Sequence, residues 1–138
     1  MDLRRTSIYL GRSRFFMGLL LLLAPGAALR AWGARGPVGP FGSLNGRILG
    51  LRDMALGAGT SIAASERNGG AGWMSIAALS DIGDGAVCLL TPGLARRTRV
   101  IGIGALALGV YGFAVSTKLA AEELAVGESA APNPAAPA

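Results

Sequence analysis

The chain has 138 residues, room for one domain, and 51% of them are hydrophobic against 15% charged. A soluble domain carries about a quarter charged residues, so the composition, with a mean hydropathy of +0.49, does not provide a water-facing surface. The absence of His and the single Cys88 exclude Ser-His-Asp and Cys-His catalysis, histidine metal sites, zinc ribbons and an internal disulfide. The net charge of +5 comes from basic residues that flank apolar blocks, which is the place of membrane anchors and not of a nucleic-acid face.

In chain order, residues 1–14 form a basic segment with Arg4, Arg5, Arg12 and Arg14. The apolar run 15–29 follows, closed by Arg30 and Trp32. It falls short of the roughly 20 residues that cross a bilayer. Counted from Arg14 to Trp32, with the arginines snorkelling and Trp32 at headgroup level, residues 14–32 make a first span. The rival reading is a secretory signal peptide, with Gly26 and Ala28 as small residues before cleavage. Residues 33–46 are rich in Gly and Pro, and Pro37 and Pro40 predict a loop.

A second span is predicted over 47–65, apolar except for Arg52 and Asp53. A turn at Glu66-Arg67-Asn68-Gly69-Gly70 follows. The third span covers 72–90 and carries Asp81 and Asp84; Thr91-Pro92-Gly93 ends it. Arg96, Arg97 and Arg99 precede a fourth span, 100–119. Residues 121–138 read as a disordered Ala/Pro/Glu tail, and no internal repeat is apparent. The predicted fold is all-α, a membrane bundle of four helices over 15–120, because lipid leaves only helices or closed barrels and barrel alternation is missing.

Four ionisable residues interrupt the apolar spans: Arg52, Asp53, Asp81 and Asp84. A charge at mid-bilayer costs roughly 2.5–3.5 kcal/mol on insertion scales, so each needs a partner or water. Measured from the turn at 1.5 Å per residue, Arg52 and Asp53 come level with Asp84, while Asp81 lies about a turn away. Asp53 points about 100° around the helix from Arg52 and is the poorer partner. One basic residue thus faces three acids. Two uses follow: a structural clamp between Arg52 and Asp84, or a site for a proton, a cation or a headgroup.

Small residues form stripes on the same helices. Gly46, Gly50, Asp53, Gly57 and Ser61 share one face, as do Ala77, Asp81, Asp84 and Cys88, and Gly102, Ala105, Gly109, Gly112 and Ser116. Small residues let backbones approach in lipid, so these faces should form the interior. Two motif fragments fail on context. Asp81-x2-Asp84-Gly85 begins like the CDP-alcohol phosphotransferase motif, but Cys88-Leu89 replace its Ala-Arg and no aspartate follows. Gly102-x-Gly104-x2-Ala107 imitates a dinucleotide fingerprint without a βαβ unit.

Gly11-Arg12, Pro25, Trp32-Gly33, Arg47-x2-Gly50-x-Arg52-Asp53-x3-Gly57, Trp73 and Asp81-x2-Asp84 together resemble a family of small bacterial four-helix membrane proteins classed under a domain of unknown function. The resemblance spans about residues 5–120 and implies a four-helix bundle with no assigned activity. The expectations are a multi-pass protein of the inner, cytoplasmic membrane, structural or accessory in role, not an enzyme and without cofactor. The alternative is a small carrier or channel subunit using Asp81 and Asp84. Its partners would be the bilayer and a second membrane protein or another copy of itself, not nucleic acid. The two ends of such a bundle carry equal basic charge. The N-terminal arginines before the first helix then place both termini in the cytoplasm.

Overall fold

Asp2 starts the first helix by accepting a hydrogen bond from the backbone N–H of Arg5 at 3.1 Å, the N-cap chemistry of a short carboxylate. A computed structural model describes residues 2–66 and 69–130, with side chains as far as residue 127. It is all helical among those residues: α1 (Leu3–Leu23), α2 (Pro25–Ala31), α3 (Pro40–Glu66), α4 (Gly70–Leu90) and α5 (Arg96–Ala130).

Several boundaries correct the sequence reading. From Leu3 on, the basic segment read over 1–14 is the first half of α1 and no separate region. The span expected over 14–32 is not one rod. Pro25 disfavours helix at Ala24 before it and starts α2 as its first residue, so α1 and α2 are bent by 117°. Pro40, read as a loop residue, opens α3, where its missing N–H costs nothing. α5 continues through Ala130, well into the segment read as a disordered tail. Residues 131–138 lie outside the described residues, as do Arg67 and Asn68 of the expected turn.

Two described helices are long and apolar enough to cross a membrane: α4, with mean hydropathy 1.3, and Arg96–Gly127 of α5, with 1.8. The bent α1–α2 pair becomes a third if counted as one broken span. α3 is not among them, since Arg52 and Asp53 lie in its middle. Large apolar side chains face outward along all the long helices, including Phe16, Leu20, Leu51, Leu79, Ile103 and Val110. The largest fully buried side chains are Leu21, Thr60, Ser7 and Ser116, and alanine makes up more than half of the buried apolar residues. A fold with small and polar groups inside and apolar ones outside is stable where the surroundings are themselves apolar.

The bundle consists of two antiparallel pairs, α1 on α3 and α4 on α5, joined mainly where α3 meets α4. Both pairs close on glycine in the same way. A Cβ on Gly57 would sit 2.5 Å from the Gly11 carbonyl oxygen, and one on Gly50 2.6 Å from that of Gly18. In the second pair a Cβ on Gly85 would sit 2.7 Å from the Gly102 carbonyl, and one on Gly109 2.7 Å from that of Ala78. Each stripe is spaced by a heptad: Gly11 and Gly18, Gly50 and Gly57, Ala78 and Gly85, Gly102 and Gly109.

This equivalence exposes a repeat that was not apparent from sequence alone. Gly18-x3-Leu22-Leu23-x-Pro25-Gly26-x-Ala28-x-Arg30 recurs as Gly85-x3-Leu89-Leu90-x-Pro92-Gly93-x-Ala95-x-Arg97. Arg47-x2-Gly50-x4-Ala55-Leu56-Gly57 recurs as Arg99-x2-Gly102-x4-Ala107-Leu108-Gly109. The halves differ by the longer α2 connection of the first. Each half is a hairpin, so the halves run in the same sense and α1 corresponds to α4, α3 to α5.

Candidate functional site

The two arginines and three aspartates inside the bundle form an alternating series across α1, α3 and α4. Arg52 on α3 grips Asp84 of α4 with both terminal nitrogens, Nη1 to Oδ1 at 3.1 Å and Nη2 to Oδ2 at 2.5 Å. Its Nη2 also reaches Oδ1 of Asp53 at 3.2 Å. That same oxygen accepts from Nη1 of Arg14 on α1 at 3.1 Å. Arg14 Nη2 pairs with Asp81 of α4 and donates to the Ala77 carbonyl at 3.2 Å. The order is Asp84, Arg52, Asp53, Arg14, Asp81. Every ion in the series touches one of opposite sign, which is what charges removed from water require.

Depth matching in the sequence placed Arg52 against Asp84, and the structure has that pair. Two other expectations are corrected. Asp53 does bond Arg52, because the guanidinium folds back along its own helix to share its outer nitrogen. Asp81 is not a spare acid a turn away, because Arg14 holds it. Sequence reasoning assigned Arg14 to the membrane flank and missed it as a cluster member. The available signal was its place between Gly11 and Gly18, on the small-residue face that lies against α3. Arg14 and Asp81 also occupy equivalent positions in the two repeats, and they bond to each other across the join between halves.

The series is graded in exposure. The side chains of Arg14 and Asp53 are 12% and 11% exposed, whereas Arg52 and Asp84 are 37% and 42% exposed. Two positive and three negative groups leave one excess negative charge.

Beside the cluster lies a cavity of about 310 Å³, lined by α1, α3, α4 and α5. Arg14, Asp53, Asp81 and Asp84 form its polar floor, and its walls are apolar, with Leu10, Met17, Met74, Ile101 and Leu108 among them. The repeat explains its location. α3 packs extensively on α4, whereas the equivalent contact of α5 with α1 is slight. The equivalents of Arg52, Asp53 and Asp84 there are Gly104, Ala105 and Met17. Thr60, 1% exposed, lines the cavity, and its Oγ1 finds no hydrogen-bond partner among the described residues.

Of the helix-packing glycines named from sequence, Gly50, Gly57, Gly102 and Gly109 sit at close helix–helix approaches, whereas Gly112 makes looser, mainly side-chain contacts. Gly50 and Gly57 face α1, Gly102 and Gly109 face α4, and Gly112 faces Met74 and Ala78. Among the described residues no group of three or more acidic or cysteine side chains is arranged to hold a metal ion. No family model, curated protein or solved structure matches the chain.

Proposed function

We propose that the chain is a four-span inner-membrane protein with a structural or accessory role, not an enzyme, in which the arginine–aspartate series clamps the two hairpins together. The supporting observation is that all three intramembrane carboxylates meet a guanidinium, and that the series ties three helices into one body. α3 serves as the remaining span once its charges are neutralised by α1 and α4, and the bent α1–α2 pair serves as the first. In this reading both termini face the cytoplasm, on the strength of Arg4, Arg5 and Arg12 ahead of the first apolar run. With Arg14 drawn into the interior, those three alone carry the argument.

A second reading, a small carrier or channel subunit working through Asp81 and Asp84, draws on the parallel repeat and the excess negative charge at the join. Repeated bundles meeting at a charged site are a common transporter plan. The two readings separate on Asp81→Asn and Asp84→Asn in the intact cell. Loss of membrane abundance in both variants supports the clamp. Normal abundance with a lost pH- or cation-dependent growth phenotype overturns it in favour of the carrier.

A further inference from the structure

We propose that the cavity between α1 and α5 is a binding site for a lipophilic amine, a ligand with an apolar body and one protonated nitrogen. Its volume of about 310 Å³ falls at the lower end of small-molecule sites, roughly 300–1,000 Å³. Its apolar lining is largely Met, Leu and Ile, suited to an apolar body, and it includes residues of both α1 and α5, which touch each other only slightly. The floor fixes the sign of the head. Five charges sum to one negative, and Asp81 and Asp84 both line the cavity while Arg52 lies behind Asp84. In a low-dielectric setting a cluster with one excess negative charge selects a cation and rejects an anion of the same shape.

Thr60 supplies an independent sign of a missing partner. The residue lines the cavity, and its hydroxyl is almost wholly buried and left without a hydrogen bond among the described residues. Native proteins seldom leave such a group unmet. It lies a heptad beyond Asp53 on α3, roughly 10 Å along the helix. A ligand whose head sits at the aspartates therefore places a second polar atom, further along its body, opposite Thr60. This assignment stands apart from the clamp, since all four ion pairs form without any ligand.

The test uses the full chain in phosphatidylcholine nanodiscs with three fluorescent probes of one body. Dansylcadaverine carries an ammonium head and a sulfonamide, its N-acetyl derivative is neutral, and the matching dansyl amino acid ends in a carboxylate. Empty nanodiscs give the partition background. The expected result is a saturable rise in dansyl emission for the amine, at least about tenfold weaker binding of the neutral form, a difference of about 1.4 kcal/mol, and no saturation for the acid. Ala105→Phe, which fills the cavity from α5, should abolish the signal. Thr60→Val should weaken binding by about fivefold, the worth of one neutral hydrogen bond. Equal binding of the three probes, or no saturation by the amine, overturns the proposal on the unaltered protein. Unchanged binding to a folded Ala105→Phe or Thr60→Val overturns the placement of the ligand.

Discussion

Removing Arg14 should damage the fold more than removing any other charged residue. Its guanidinium holds Asp53 and Asp81 at once, bonds the Ala77 carbonyl and is 12% exposed. In Arg14→Ala, Asp53 keeps Arg52, but Asp81, 18% exposed, loses the guanidinium that neutralises it. Breaking a buried pair from one side costs about 3–5 kcal/mol, because the remaining charge stays desolvated. Arg52→Ala offers the comparison. Its pair with Asp84 is less enclosed, 37% and 42% exposed, so the acid left behind is less fully desolvated and the loss should be smaller than for Arg14→Ala. Equilibrium unfolding of the purified chain in mixed micelles measures both. Arg14→Ala with Asp81→Ala should recover part of the loss, with a coupling of roughly 0.5–3 kcal/mol. An Arg14→Ala protein within about 1 kcal/mol of the parent, or one less affected than Arg52→Ala, would refute the reasoning.

Gly57→Val should cost about 3 kcal/mol or more, since its Cβ would meet backbone atoms of Gly11 and Phe15 at 2.5 Å, whereas Gly104→Ala, with nothing within 4 Å of its Cβ, should be neutral in thermal unfolding. Arg4 donates to the carbonyls of Ala64 and Ser65 at the end of α3, so Arg4→Ala should lower stability by about 1 kcal/mol and raise hydrogen exchange in that last turn. A carbonate wash should leave the protein in the membrane pellet, and its release into the supernatant would sink the membrane reading. Reporter fusions at the two ends should give the same side of the membrane, and opposite sides would rule out four spans.

What the sequence revealed of this molecule is what helix geometry alone controls. The apolar runs announced helices, the small-residue stripes announced their inner faces, and counting residues from a turn set Arg52 level with Asp84. What escaped depended on how helices meet. Arg14 reads as a flanking charge until α1 is known to begin at Leu3, which puts Arg14 mid-helix instead of at an end. Pro40 reads as a breaker because its effect changes with position: forbidden inside a helix, favoured at its first residue. Pro25 stood in plain view, but the leucines around it suggested a continuous rod. The repeat was hidden because its matching positions are glycines, leucines and prolines, common in any membrane helix. The charges that draw the eye are the places where the halves differ.

That difference carries a consequence for stoichiometry. Arg14 and Asp81 are matching positions that touch, so a homodimer of the first hairpin would bring arginine against arginine there. A homodimer of the second would bring aspartate against aspartate. Only one copy of each half gives a neutral contact. Covalent linkage in a single polypeptide guarantees that ratio at any expression level, and like-charge repulsion discourages two copies of the same hairpin from pairing. The join between the halves therefore works as a lock that accepts its complement and rejects its own kind.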